Sequence, residues 1–400
     1  VEVLPGTTTS DLVHATGKAI LNGGSVLHIG EAGDYKPSAA YTILTADAGV
    51  TGKFDGVHSN FIFLDPTLTY DANSIFLKLV RNDVDFSAAG HTRNQRDTGD
   101  GVDSLGNGNP VWNAVAVLGG DSVPAAFDSL SGEVHASVKS MLLDDSRFVR
   151  DAATDRVRSA FAGTAMSSTP VMAYGEGGFA AAPADTDRLA VWMRGFGSWG
   201  EWGSDGNAAG LDRTLGGVLI GADGLVAENL RLGLMTGYSH SDVDGRASSG
   251  SSDNYHLGLY GGSQWGALGL RFGAAYSWHD IETARSVAFP GFAESLDANY
   301  DAATMQAFGE LGYRIDTQSA SFEPFAGLAY VNLHTDGFTE KGGASALEST
   351  GTNTGTTFTT VGIRASKDFM LSGTNVKARG MIGWRHAFGD VNPSVTMAFA

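Results

Sequence analysis

Four hundred residues without a cysteine, with a formal net charge of −18 and 55 glycines against 10 prolines, exclude a disulfide scaffold, a thiolate metal site, a nucleic-acid binder with a basic face and a disordered chain. No run of about eighteen apolar residues occurs, so no single helix is expected to span a bilayer. The length leaves room for more than one domain.

In chain order, the opening Val1-Glu2-Val3-Leu4-Pro5 lacks the basic and apolar regions of a signal peptide, and the chain reads as a mature or excised fragment. Residues 26–29, 41–44, 61–64, 67–71 and 75–80 read as short strands, separated by turns such as Asp47-Ala48-Gly49 and Asp65-Pro66. Rungs of a right-handed β-helix and a small sandwich both fit them. From 111 to 161 the spacing becomes helical. Asp121-Ser122 before Pro124 caps a helix with an apolar stripe of Phe127, Leu130, Val134, Val138, Met141 and Leu142. Asp144-Asp145-Ser146 caps a second, more polar helix over 147–161. Since crossing ~30 Å takes about twenty helical residues, either piece with its extended tail could thread a pore. Residues 162–187, rich in Gly, Ala and Ser, form a flexible connector.

From Leu189 onward, stretches of about ten residues are apolar at every second position. Leu230, Leu232, Leu234, Thr236 and Tyr238 share one face, and Arg231, Gly233, Met235, Gly237 and Ser239 the other. Leu268, Leu270, Phe272, Ala274, Tyr276 and Trp278 repeat the pattern, which recurs over 305–315 and 376–386. The greasy face must meet a core or a bilayer. The other face carries small residues and widely spaced charges, which suits the lumen of a closed barrel. Trp192, Trp199, Trp202, Tyr238, Tyr255, Tyr260, Trp265, Tyr276, Trp278, Tyr313, Tyr330 and Trp384 gather near strand ends like an interfacial girdle.

Connections alternate in length. Long polar loops are expected at 201–214, 245–252, 282–296 and 337–356, and tight turns at Asn229, Gly266, 316–320 and 371–374. Long on one side and short on the other is the outer-membrane barrel rule, which places Asn229, Gly266, Asp316 and Ser372 on the periplasmic side.

Three blocks carry a resemblance: 127–137, from Phe127-Asp128-Ser129-Leu130; 145–151, Asp-Ser-Arg-Phe-Val-Arg-Asp; and 383–390, Gly-Trp-Arg-His-Ala-Phe-Gly-Asp. With 192–197, 257–262 and 308–313, their order resembles the monomeric autotransporters of type V secretion, and 61–82 resembles the last rungs of a pertactin-like passenger. The resemblance implies an all-β chain with a helical linker: 1–110 the passenger end with its β-helix rungs, 111–187 the linker and connector, and 188–400 an outer-membrane antiparallel β-barrel. It implies an outer-membrane translocator in Gram-negative bacteria that exports and anchors its own passenger at the cell surface, with the linker in the lumen. Partners would be outer-membrane lipid, the barrel-assembly machinery, periplasmic chaperones and the chain's own passenger; the protein would be a monomer without cofactor, metal or catalytic residues. About ten of the family's twelve strands can be counted before Ala400, and the C-terminal strand ending in an aromatic residue is absent, so a truncated, open barrel is expected. The Asn-Asn cleavage pair of some members is absent, and Asn113 stands single.

On this reading the lumen arginines Arg194, Arg231, Arg271, Arg314, Arg364, Arg379 and Arg385 face the linker acids Asp144, Asp145, Asp151 and Asp155, or else pair with Glu310 and Glu323 or meet water. Two rival functions compete with this reading. Gly119-Gly120-Asp121-Ser122 resembles the serine block of GDSL esterases, and Asp11-Leu12-Val13-His14 has the spacing of their histidine block. The order of the blocks is reversed and Val123-Pro124 breaks the motif, which favours a helix cap at Ser122 over a surface hydrolase. A plain outer-membrane channel would share the barrel but have no use for the helices before it.

Overall fold

The computed structural model describes residues 1–4, 7–30, 39–165, 169–175, 177–371 and 374–400. At its N-terminal end, Val13–Ala15 runs parallel to Ala40–Ala46, Ala19–Asn22 to Val50–Lys53, and Ser25–Gly30 to Gly56–Ser59. Side chains that meet across these pairs, His14 with Thr45 and His28 with Ser59, lie 31 residues apart in both cases. A constant offset across parallel sheets is one turn of a coil, so the rungs form a β-helix and not a sandwich. Val26, Ile43, Phe61, Ile75 and Leu77 fill it. The coil ends in an antiparallel pair, Leu64–Tyr70 with Ser74–Arg81. The strand expected over 61–64 begins only at Leu64; Phe61 makes an isolated bridge to Gly119.

Four helices follow. α1 (Arg93–Leu105) was not legible in its Gly- and Asp-rich sequence; a capping box between Thr92 and Gln95 starts it, and packing holds it. α2 (Pro110–Ala116) starts at Asn109 with proline in its first turn. α3 (Val123–Leu130) follows a short turn at Gly120–Ser122, and Ser122 sits at the cap position without a side-chain capping bond. Gly132 then adopts φ +64°, a conformation that costs most residues and stops the helix. α4 (Val134–Ala160) runs unbroken for 27 residues. The break expected at Asp144-Asp145-Ser146 is therefore absent, because these acids are engaged by the surrounding wall rather than by the backbone. The helix boundary lies about three helical turns earlier, at Gly132.

The connector forms a hairpin instead of a loose segment: β1 (Val171–Gly175) and β2 (Gly178–Ala182), with Met172 and Ala173 pairing onto β3 (Ala190–Trp202). Then come β4 (Leu211–Ala227), β5 (Leu230–Asp244), β6 (Ser248–Trp265), β7 (Leu268–Phe289), β8 (Phe292–Tyr313), β9 (Ser321–Thr335), β10 (Thr352–Leu371) and β11 (Thr374–Gly389). Each pairs antiparallel with the next in a 12-stranded sheet that includes the short Ile315–Asp316, and the path runs from β2 to β11. Turns at Asn229 and Gly266 are short, as expected; Ser372 lies outside the described residues. Two expected loops are strand instead. β6 begins at Ser248, and β7 and β8 extend to Phe289 and from Phe292, so 245–252 and 282–296 form tall hairpins. The alternation continues there in disguise, with Ile281, Thr283, Arg285 and Val287 buried and Glu282, Ala284 and Ser286 exposed between them.

The faces separate as the sequence requires. Leu232, Leu234, Leu257, Phe272, Met305 and Leu328 are exposed on the outside, while Arg231, Met235, Arg271 and Ala275 are buried within. Trp265 and Tyr313 form an aromatic level near the turns, and Tyr238, Tyr255 and Trp278 a second level in register above it. Ten residues of tilted strand between Trp265 and Tyr255 correspond to about 25 Å, the height of a lipid-facing band. Trp192 and Tyr260 do not belong to the girdle: they point into the lumen, where the indole N–H donates to the Tyr260 hydroxyl at 2.6 Å.

Phe272 lies on the outer face between the two aromatic levels, so Phe272→Arg should destabilise the barrel in bilayers by about 2–4 kcal/mol. Denaturant unfolding in vesicles reads this, and Phe272→Leu should stay near the parent.

Candidate functional site in the barrel lumen

α4 occupies the lumen and packs against β4 to β9. Its lower half buries Val149, Ala152, Ala153 and Val157 against Trp192, Leu219, Met235, Tyr260, Ala275 and Phe308. Its upper half buries Val138, Met141, Leu142 and Leu143 against Val243, Ile281, Ala298, Val331 and Leu333. The close approach uses glycine: a Cβ on Gly262 would stand 2.3 Å from Val157, and one on Gly250 2.6 Å from Val138. Where it meets α4 the inner face is thus packed, not open.

Charge sits in this packing at three levels. At the level nearest the short turns, the fully buried Asp223 of β4 accepts from Arg156 of α4 through Nε at 2.7 Å and Nη2 at 2.8 Å. It also accepts from Arg231 of β5 and from the Tyr260 hydroxyl at 2.7 Å. A carboxylate stripped of water recovers its solvation only through such donors. Arg156 additionally donates to the Ala184 carbonyl at 2.7 Å, and Arg231 to the Thr186 carbonyl at 2.8 Å, which ties the segment between helix and barrel to the same node. Beside it, Asp155 joins Arg158 at 2.7 Å and Arg194 of β3 at 2.6 Å.

Midway up the helix, Gln306 of β8 accepts from Arg150 at 2.8 Å and donates to the Ser146 carbonyl at 3.1 Å. Arg213 of β4 grips the helix acids, donating to Asp144 at 2.6 Å and reaching Asp145, which also accepts from Ser241 at 2.9 Å. Arg385 of β11 meets Asp144 at 3.1 Å.

At the mouth, beyond the upper aromatic level, Glu340 joins the loop between β9 and β10 to both helix and wall. Arg285 of β7 donates to it at 3.1 and 2.6 Å, and His135 of α4 lies 3.0 Å away. An ionised carboxylate cannot donate, so His135 Nε2 carries the proton and Nδ1 accepts from the Tyr300 hydroxyl at 3.2 Å. The imidazole stacks on Phe338 of the same loop. Burial pushes the Glu340 carboxyl up, but the hydrogen bonds from His135 and Arg285 outweigh it and hold the group at about 2.

The expected site residues divide. Arg194 and Arg385 meet linker acids, Asp155 and Asp144. Arg271 and Arg364 do not; they form a four-membered cage with Glu310 and Glu323, with contacts of 2.6 to 3.0 Å. Arg271 stands directly opposite Glu310, and Glu323 opposite Arg364, so neighbouring strands satisfy these arginines first. Arg231 is claimed by Asp223 of the wall. Arg314 is half-buried, pairing with Asp316 at 2.9 Å and donating to the Ala162 carbonyl at 3.1 Å. Arg379 is exposed on β11. Asp151 contributes its backbone carbonyl to Arg194 at 3.4 Å. Missed in the sequence were Asp223, Arg156, Arg213, Gln306 and the Glu340 clasp. An acid at an inward strand position, between glycines at 221 and 224, was the signal that marked Asp223.

Comparison with known proteins agrees with this architecture. The model of the autotransporter β-domain family matches residues 191–400. An extracellular serine protease of Serratia marcescens is 31% identical over 96% of this chain, and the match covers 40% of that protein; a second of the same name and organism is 30% identical over 90% of this chain and 37% of its own length. The chain thus spans about two fifths of the curated relatives it matches. Among solved structures, the translocator domain of the autotransporter NalP from Neisseria meningitidis shares 16% identity, covering 65% of this chain and 89% of that one, at a TM-score of 0.47. The β-domain of the Bordetella autotransporter BrkA shares 21% over 51% of this chain and 80% of its own, at 0.42.

Two outcomes follow from the geometry. Asp223→Ala leaves two guanidinium groups buried without their carboxylate and should cost about 3–5 kcal/mol, whereas Arg156→Ala, which leaves Asp223 its bonds to Arg231 and Tyr260, should cost less; denaturant unfolding in detergent ranks them. The depressed Glu340 value means that the clasp's contribution is complete above its ordinary value of 4.5 and is lost as pH falls toward 2. Limited proteolysis of the 336–351 loop should therefore quicken over that window, and Glu340→Gln should make cleavage faster and flatten its pH dependence, leaving the part due to Glu294, which accepts from Ala344 and Ser345 of the same loop.

Proposed function

Because the chain belongs to the autotransporter β-domain family, an outer-membrane translocator with its passenger on the cell surface, we propose that α4 is the segment of its own polypeptide left in the pore after export. On this reading residues 1–110 are the end of the passenger, 111–187 the linker and 188–400 the barrel. The observation that carries it is the seat of α4: apolar contacts along its length, glycines where it comes closest, and charged pairs at each level. A pore built for small solutes would gain nothing from such complementarity to one helix.

Assembly is assigned to the barrel-assembly machinery with periplasmic chaperones, acting on a single chain. The relatives carry the name of a protease and are much longer than the part matched here. We assign the matched part to translocation and anchoring, with hydrolysis left to what those relatives carry beyond it. The lumen-facing pairs Arg194–Asp155, Arg213–Asp144, Arg385–Asp144 and Arg156–Asp223 would hold the linker in place.

Planar-bilayer recording tests this. The full chain should conduct poorly, and removal of residues 123–160 should raise the unitary conductance several-fold. Equal conductance of the two would overturn the plugged-translocator reading and leave a plain channel.

A further inference from the structure

We propose that the β1–β2 hairpin is a lipid-docked foot of the barrel, seated where the wall meets the phospholipid headgroups on the periplasmic side; the inference rests on the membrane-barrel reading above. Its outward side chains are apolar. Met172, Tyr174 and Phe179 are exposed, and the rings of Tyr174 and Phe179 pack edge to face with centroids 5.2 Å apart. On an element of two five-residue strands, such a patch calls for a cover.

The register of the sheet says what covers it. Met172 stands opposite Val191, and the same row continues through Ala222, Leu234 and Leu259, of which Leu234 and Leu259 are exposed on the lipid face. One residue along, Ala173 stands opposite Ala190 in the row of Asp223, Gly233 and Tyr260, which faces the lumen. The hairpin thus carries both faces of the wall in step. Its inner face is already covered, since Val171 and Ala173 are buried and Val171 shares a core with Val149, Ala153 and Val157 of α4. Its outer face continues the surface that meets lipid.

Depth follows from the stagger of the strands. In a tilted wall the boundary marked by the short turns climbs across the rows from one pair of strands to the next. The β6–β7 turn follows Trp265, whereas the β4–β5 turn ends at Leu230, opposite Ser263. Continued to the next pair, the climb reaches the row of Gly261, Leu232 and Gly224, beside which the chain is at Leu189, just before β3 begins at Ala190. Tyr174 lies in that row, its N–H donating to the Leu189 carbonyl at 2.9 Å. Met172 is therefore on the hydrocarbon side of the boundary and the two rings are at it, as Trp265 and Tyr313 are elsewhere on the barrel. Among the described residues β2 pairs only with β1, so its outer edge keeps unpaired backbone groups. Hydrocarbon penalises such groups, and the hydrated headgroup layer does not.

The foot stands where the chain passes from helix to wall. Directly after it, the carbonyls of Ala184 and Thr186 are held by Arg156 and Arg231. The Asp223 node thus fixes this corner from the lumen, and the hairpin fixes it from the lipid.

The chain has no cysteine, so a single introduced one carries a unique label. Full chain with Phe179→Cys, bearing a bimane fluorophore, is reconstituted in phosphatidylcholine vesicles with brominated acyl chains. Leu234→Cys serves as the lipid reference, and Gln318→Cys, in the exposed turn after Asp316, as the water reference. Bromine near the headgroup should quench the label at 179 about as strongly as at 234, while aqueous iodide should quench it about three-fold less than at 318. Met172→Cys should respond more than 179 to bromine deep in the chains. Quenching at 179 that matches 318 would overturn the proposal by placing the hairpin in water. Shielding of 179 from both quenchers would overturn it too, by placing protein over the patch. A label at 234 that bromine does not quench would instead refute the membrane-barrel reading, which separates the two failures.

Discussion

A charged helix inside a packed pore is possible only if each buried charge finds a counter-charge or hydrogen-bonding partners, and the Asp223 node is where that constraint is met most completely. Three side chains, two from the wall and one from α4, converge on a carboxylate with no contact to solvent. Removing water from these groups is costly, and the pairing offsets that cost only with good geometry and additional hydrogen bonds, both of which are present here. Such a node adds less to net stability than to uniqueness. A helix shifted by one turn would strand Arg156 against apolar wall and leave Val157 without the space that Gly262 provides.

The lumen charges fall into two kinds. Arg271, Glu310, Glu323 and Arg364 satisfy one another across β7 to β10 and need nothing from the helix. Arg213 and Arg194, by contrast, depend on Asp144, Asp145 and Asp155. A wall whose charges were all of the second kind would bind any acidic segment passing through it. With part of its charge paired internally, the wall presents fewer groups to a moving chain and reserves the rest for the segment that stays.

Period-two alternation made the wall, its lipid face and the side of the short turns legible, because one buried and one exposed face leave no freedom in register. The tall hairpins were hidden because their alternation mixes Ser, Thr, Glu and Arg with single apolar residues such as Ile281 and Val287, whose inward members are buried by the helices and the mouth loop. Asp144-Asp145-Ser146 looked like a helix start for the same reason: local propensity favours a cap, and only the distant Arg213 and Ser241 make a helix interior acceptable there. Trp192 and Tyr260 fit an interfacial girdle by composition, yet their polar edges serve the Asp223 node. The β-helix was ambiguous because a 31-residue offset repeated once or twice is invisible to periodicity, whereas parallel pairing displays it at once.

Both ends of α4 are fastened to the wall by charge, which filling the pore does not require. A stopper needs only to fill cross-section, and the apolar contacts along the helix would do that. Charged attachments are added to that packing midway, at Asp144 and Asp145, and again at both ends. The Asp223 node and the Ala184 and Thr186 carbonyls hold the end from which the chain returns to the barrel, and the His135–Glu340–Arg285 clasp holds the end from which it leaves for the surface. The end of α3 and the clasp are both fastened to the β7–β8 hairpin through Arg285, while Lys139 donates to the Thr352 hydroxyl at 2.5 Å beside them. The wall, and not the helix backbone alone, therefore fixes both ends of α4.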